Sequence, residues 1–287
     1  IKNSNKTLIE LHNRPYLFNY MVKHLINVPI VLYYHNDPIE MKGSKTVTER
    51  KKILNNAAGI ICVSEYIKKQ FLKGIKNNNS KVYVLPNGIK RTLKQKPKKE
   101  KKIMFVGRIV QEKGVHIFVN SIKKLIHRYP EWKFIIIGTS KAGQKKLITT
   151  YEKKVIKDFL KHGKQVNYLG FLPNSKVKEI MRTSSILVVP SVWNEPFALT
   201  ALEGLASGQA VIASNHGGLK EMLKNVGILI EGINSKKLEF HLNKLMNNDK
   251  ILKNYQNKAW KNFKYHQQNI SKKQDLIREK IFNNFFK

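Results

Sequence analysis

Ten short apolar runs punctuate this sequence, and their spacing restricts the fold more than any other feature. Four lie in the first third: Thr7-Leu-Ile-Glu-Leu, Ile30-Val-Leu-Tyr-Tyr, Ile60-Ile-Cys-Val and Val82-Tyr-Val-Leu. Six follow: Ile103-Met-Phe-Val-Gly, Phe134-Ile-Ile-Ile-Gly, Val166-Asn-Tyr-Leu-Gly, Ile186-Leu-Val-Val, Ala210-Val-Ile-Ala and Gly227-Ile-Leu-Ile. Runs this short, apolar on both faces, read as buried parallel strands. Helical patterns separate them: Pro15 to Ile26, about Lys45 to Asn56, a helix opened by Ser64, Val115 to Arg128, and about Lys145 to His162. Strand–helix alternation of this kind makes βαβ units, so the chain is α/β with parallel sheets.

One interruption divides the pattern. Residues 90–102 carry Lys94, Lys96, Lys98, Lys99, Lys101 and Lys102 around Pro97 with almost no apolar side chain, which predicts a solvated linker. The expected organisation is a first parallel-sheet domain over 1–89, the linker, and a complete doubly wound domain over 103–250. Helices over 251–287 end the chain and are expected to cross back to the first domain.

The richest stretch is Ser191 to Gln209, between the runs at Ile186 and Ala210. Pro196 stands where its helix is expected to begin and Gly208 where it should end. Glu195 precedes that helix and Glu203 lies two turns into it. At about 100° per residue, eight positions return the two carboxylates to within roughly 80° of each other. The first-turn backbone N–H groups, including Phe197, Ala198 and Leu199, then form an anion-binding helix terminus. The arrangement suits a diphosphate flanked by sugars; read blandly, it is a strand–helix–strand unit with two solvated glutamates.

Gly107-Arg-Ile-Val-Gln-Glu-Lys-Gly follows the strand at Ile103 directly. Ligands of open α/β sheets bind at the carboxyl ends of strands, so Arg108 and Lys113 are placed near the same crevice and could neutralise a diphosphate. His35-Asn-Asp-Pro ends a strand of the first domain, where a His could face a ligand. The dinucleotide and P-loop signatures are absent, as are the nucleophile elbow and any metal-ligand spacing; Asp37 has no second carboxylate in a D-x-D pattern.

The net charge of +35 raises nucleic acid or anionic membrane as partners. Only seven of the 54 basic residues are Arg, and the chain is crowded with Lys, Asn and Ile, as an AT-rich coding sequence would make it. No Arg cluster, interleaved aromatics or nucleic-acid-reading motif accompanies the charge, which argues against a specific nucleic-acid partner and leaves attraction to anionic lipid. Cys62, the single cysteine, sits in an apolar run and is expected to be a buried thiol. No apolar run reaches membrane-spanning length and no signal peptide is seen, so a cytoplasmic protein is expected, peripheral at a membrane surface at most.

Together these residues resemble a family. Pro190-Ser-x-Trp-x-Glu-Pro-Phe with Glu203-Gly-x-Ala-x-Gly is similar to the family-4 retaining glycosyltransferases of the GT-B fold. Gly107-Arg-x-x-x-Glu-Lys-Gly, Pro86-Asn-Gly, Gly170-Phe-Leu and Gly217-Gly-x-x-Glu221 agree with it in order. Leu11-His-Asn-Arg-Pro, His35-Asn-Asp-Pro and Met41-Lys-Gly look like the subgroup acting on lipopolysaccharide core or other cell-surface glycans.

The resemblance implies two Rossmann-like domains facing a cleft and transfer of a sugar from a nucleotide-sugar, a UDP-sugar such as UDP-GlcNAc or UDP-glucose, to a glycan or glycolipid. It implies catalytic roles for His35, Glu195, Arg108 and Lys113. Glu203 would accept from the ribose hydroxyls and Glu195 from hydroxyls of the donor sugar. Gly107, Arg108, Lys113 and the amides of Phe197, Ala198 and Leu199 would lie along the diphosphate and sugar. Gly170, Phe171 and Leu172 would hold the base, and His35 would approach the anomeric centre. No metal and no cofactor beyond the co-substrate is implied, and front-face retention requires no protein nucleophile. Family members have a first domain about as large as the second, so the first is expected to be incomplete, in a fragment or a shortened gene. A donor-binding remnant without transferase activity is the alternative reading.

Overall fold

The computed structural model describes residues 7–76, 80–141, 143 and 147–286. The chain divides into two compact units, Ile1–Lys90 with Tyr265–Lys287, and Arg91–Lys264. Each is built on one all-parallel sheet, as the alternation of apolar runs requires.

The first unit begins with β1 (Ile9–His12), α1 (Pro15–His24), β2 (Ile30–Tyr34), α2 (Val47–Asn56), β3 (Gly59–Cys62), α3 (Glu65–Leu72) and β4 (Val82–Val84). Its strands lie side by side in chain order, β1-β2-β3-β4. Local chemistry sets the helix starts. Thr46 and Glu49 close a capping box before α2, and the Ser64 hydroxyl accepts from the Ile67 N–H at the start of α3. Arg50, 2% exposed, donates to the carbonyls of Ser44, Lys45, Phe71 and Lys73, so a buried cation ties the α2 entry loop to the end of α3. Asp37 is structural: its carboxylate accepts from the Ile39 N–H, the Tyr66 hydroxyl and the Gln70 amide.

The second unit runs β5 (Glu100–Val106), α4 (Val115–Arg128), β6 (Lys133–Ile137), α5 (Thr150–Leu160), β7 (Val166–Tyr168), α6 (Asn174–Thr183), β8 (Ser184–Val189), α7 (Leu199–Ala206), β9 (Ala210–Ser214), α8 (Leu219–Leu223), β10 (Ile228–Ile230), α9 (Ser235–Met246) and α10 (Asp249–Lys261). The helix expected over Val115–Arg128 forms with those bounds; the expected start of α5, Lys145, lies outside the described residues. The strand order β10-β9-β8-β5-β6-β7 is that of a doubly wound sheet, whose direction of growth reverses between β5 and β8. One face buries Ile103, Phe105, Ile136, Ile186, Val188 and Ile212 against Phe118 and Ile122 of α4, Phe159 of α5 and Leu238 and Leu242 of α9. The period-2 alternation turns Met104, Leu187 and Val211 to the other face.

Two boundaries differ from those expected. The lysine-rich segment is not a free linker: Lys99 Nζ donates to the carbonyls of Met181, Arg182 and Ser207, at the last turns of α6 and α7. Arg91 stacks its guanidinium on Trp260 at 4.0 Å, and β5 starts already at Glu100. Nor does the return to the first unit begin at 251. The helix α10 packs on β9, α7 and α9, burying Leu252 and Ala259, and the chain rejoins the first unit at Tyr265. There α11 (Gln267–Phe285) sets Ile277 and Ile281 against Val31, Tyr33 and Ile61 of the first sheet. Among the described residues no helix is long and apolar enough to cross a membrane.

Candidate functional site

In the second unit, the loops leaving β5 and β8 flank the reversal point of the sheet and are stitched together. The Val192 N–H donates to the Glu112 carbonyl at 2.9 Å. Gln111–Lys113 forms one turn of 3-10 helix that ends in Gly114 at φ +69°. A Cβ at Gly114 would lie 1.9 Å from the Pro190 carbonyl oxygen, so only glycine permits the approach of the two loops. The result is an ion pair across them. Lys113 Nζ donates to Glu195 Oε1 at 2.6 Å and lies 5.1 Å over the Trp193 ring. Ser191 Oγ donates to the same oxygen at 2.6 Å.

Glu195 is thereby a nearly buried carboxylate, 5% exposed, and not a solvated one. Its backbone is equally fixed. The Gly218 N–H donates to the Glu195 carbonyl at 2.7 Å, and Cβ atoms at Gly217 and Gly218 would each come within 2.3 Å of the Glu195 or Pro196 carbonyl oxygens. This contact corrects the expected helix start. The residues after Glu195 stay outside the helix, with Phe197 and Ala198 turned inward and buried, and α7 begins at Leu199 rather than Pro196. The first-turn N–H groups are therefore those of Leu199, Thr200 and Ala201, whereas Phe197 precedes the helix and Ala198 is its cap. The predicted end holds. Gly208 at φ +72° closes α7 in a Schellman motif, Gly208 N–H to Leu205 O and Gln209 N–H to Gly204 O.

Glu203 stands on α7, partly exposed, and accepts from the Asn174 amide at 3.0 Å. Asn174 opens α6 directly after the segment assigned to the base. In that segment Gly170 adopts φ +62° and its carbonyl accepts from the Gly138 N–H at 2.7 Å, while Phe171 is 45% exposed and Leu172 half-buried. Gly107 leaves β5 with its N–H on the Ile137 carbonyl. Arg108 is exposed, and its guanidinium has no partner among the described residues. The structure thus joins Lys113 to Glu195 and Asn174 to Glu203, and leaves Arg108 apart.

The first unit holds a separate cluster at the carboxyl ends of β1 and β2. His35 Nε2 lies 2.9 Å from His12 Nδ1, and the His12 ring stacks on Tyr33 at 4.4 Å between centroids. Asn13, at φ +54°, accepts the His35 N–H at 2.8 Å, which fixes the chain at the exit of β2. Burial and then the neighbouring His12 lower the His35 pKa below its ordinary value. Behind the pair, the Tyr33 hydroxyl donates to Glu10, which Arg278 of α11 grips with two hydrogen bonds. His12 was not among the site residues expected from sequence. The signal was present, since His12 and His35 each close a strand and adjacent parallel strands bring their carboxyl ends together. Among the described residues no three His, Cys, Asp or Glu side chains group so as to hold a metal ion.

Known proteins share this frame. The model of the Glycosyl transferases group 1 family matches residues 89–262, and that of Glycosyltransferase Family 4 matches residues 1–93. An uncharacterized glycosyltransferase of Methanocaldococcus jannaschii is 32% identical over 237 residues, covering 81% of this chain and 63% of that protein. The lipopolysaccharide 1,2-N-acetylglucosaminetransferase of Salmonella typhimurium is 24% identical over 258 residues, covering 86% and 62%. The chain thus spans less than two thirds of the length of these curated relatives. Among solved structures, Anabaena HepE in complex with UDP superimposes with a TM-score of 0.77 at 17% identity, covering 95% of this chain and 79% of that one. The same protein with UDP-glucose gives 0.73 at 18% identity, covering 95% and 78%. At such identity the likeness concerns the fold, two Rossmann-like parallel-sheet units of the GT-B type. With the group 1 model matched over more than half of its length, this chain belongs to the Glycosyl transferases group 1 family.

Proposed function

We propose that the chain carries out retaining transfer of a sugar from a nucleotide-sugar, a UDP-sugar, to a lipopolysaccharide-type or other cell-surface glycan. The observation that carries this reading is the Lys113–Glu195 pair at the carboxyl ends of β5 and β8, with Glu203 on the helix that follows. A cation, a carboxylate and open helix-terminal amides meet where a doubly wound sheet binds its ligand. Glu203 accepts from the ribose hydroxyls and Glu195 from hydroxyls of the sugar. Arg108 and Lys113, with the first-turn amides of α7, take up charge on the departing diphosphate, the work that a metal does in other transferases. No cofactor beyond the sugar nucleotide enters this scheme.

The complexes of HepE with UDP and UDP-glucose support the uridine donor, and the Salmonella transferase supports the class of acceptor. The net charge of +35 favours residence against anionic lipid at the cytoplasmic face of a membrane, where a glycolipid acceptor is anchored. The test is nucleotide release from a panel of UDP-sugars, with and without acceptor glycan. Acceptor-dependent release of UDP from one of them is expected. Binding without turnover on any acceptor would identify a donor-binding remnant instead.

A further inference from the structure

Two donors share one oxygen of Glu195. Lys113 Nζ and Ser191 Oγ both lie 2.6 Å from Oε1, with Glu195 5% and Ser191 1% exposed. On the donor reading above, Lys113 is the cation a diphosphate must recruit, and Glu195 is the acceptor that sugar hydroxyls must reach. In the structure each group occupies the other.

We infer that the Lys113–Glu195 pair determines specificity for the intact sugar nucleotide over the free nucleoside diphosphate, by making diphosphate and sugar recognition a single coupled event. A nucleoside diphosphate alone draws Lys113 away and leaves a nearly buried carboxylate with, among the described residues, only the Ser191 hydroxyl to solvate it. Removing one partner of a buried ion pair is costly because the remaining charge is under-compensated. A sugar hydroxyl removes that penalty: its O–H donates to the oxygen the ammonium has left, while Ser191 keeps Oε1 in place. Once the sugar has been transferred the compensation disappears, Lys113 returns to Glu195, and the product nucleotide is expelled. The carboxylate thus works against the product as well as for the donor.

Calorimetric titration with UDP, on the wild-type chain and on Glu195→Gln, Lys113→Met and the double variant, tests this. Glu195→Gln releases Lys113 and is expected to bind UDP roughly tenfold more tightly than wild type, the ratio that a charge-assisted hydrogen bond represents. Lys113→Met should weaken UDP, and adding Glu195→Gln to it should bring no gain, because the penalty requires the ammonium. A bridge with a structural role only predicts equal or weaker UDP binding in Glu195→Gln, and that result overturns the inference while leaving the donor reading intact. A wild-type chain that binds neither UDP nor UDP-glucose overturns both. Thermal melting checks that each variant folds. Should Glu195→Gln not fold, Glu195→Asp withdraws the carboxylate by one methylene and must shift UDP affinity in the same direction.

Discussion

Substituting Gly114 by Ala tests how the site is assembled, because two separate costs can be read from the structure. At φ +69° an L-residue loses about 1–2 kcal/mol relative to its preferred conformation. The new Cβ would also stand 1.9 Å from the Pro190 oxygen and 2.8 Å from its carbonyl carbon, backbone atoms that yield only if the β8 loop moves. Together the two terms are about 3 kcal/mol or more. At roughly 2–4 °C per kcal/mol for a unit of this size, the melting temperature should fall by about 6–12 °C. Gly163 supplies the control, with φ +72° and nothing within 4 Å of its Cβ. Gly163→Ala should therefore show the conformational term alone, about 1–2 kcal/mol. Gly114 follows Lys113 and Pro190 precedes Ser191, so relief of the clash also separates Lys113 from Glu195. Circular dichroism melts and UDP titration of both variants read the two effects. Equal melting shifts, or undiminished UDP affinity in Gly114→Ala, would refute this account of the loop contact.

Three further outcomes are expected. In NMR titration His35 should have a midpoint below that of an ordinary histidine, and His12→Gln should raise it part of the way, since the charge of His12 is removed while burial remains; an unmoved midpoint would deny the pairing. Burial, and secondarily Lys96, pushes the Lys99 ammonium down to about 7. Between pH 7 and 10.5 the unfolded chain therefore holds a proton there that the folded chain has lost, so stability should rise with pH over that window. In Lys99→Met this rise should shrink, and parallel stability–pH curves for the two proteins would count against it. Cys62 is fully buried and its thiol pKa is raised by that burial, so it should react with a thiol reagent only on unfolding; prompt labelling of the native chain would place it elsewhere.

Much of the fold was legible because buried parallel strands leave a simple mark. All ten apolar runs became strands, and α4 kept both predicted ends because its apolar period of 3.6 is unbroken to Arg128. The start of α7 lies later for a tertiary reason: Pro196 looks like a first helical residue, but Gly217 and Gly218, more than 20 positions later, pack on the Glu195 and Pro196 backbone, and the helix starts only at Leu199. The lysine run was legible as polar, and nothing local indicated that Lys99 alone would turn inward onto two helix ends. In the site, sequence supplied the members and not their pairing. Lys113 and Glu195 are 82 positions apart, and they meet only because β5 and β8 are neighbours with glycine at the crossing of their loops.

The central claim is that the second unit binds a uridine sugar nucleotide through Glu203 and Lys113. Calorimetric titration of UDP-glucose into the wild-type chain and into Glu203→Ala, in buffer containing a metal chelator, tests it most directly. Saturable binding at one site that persists with the chelator and weakens about tenfold or more in Glu203→Ala is the expected result, the ribose hydroxyls having lost a charged acceptor. Absence of binding, binding that needs a divalent ion, or equal affinity in the variant would contradict the account.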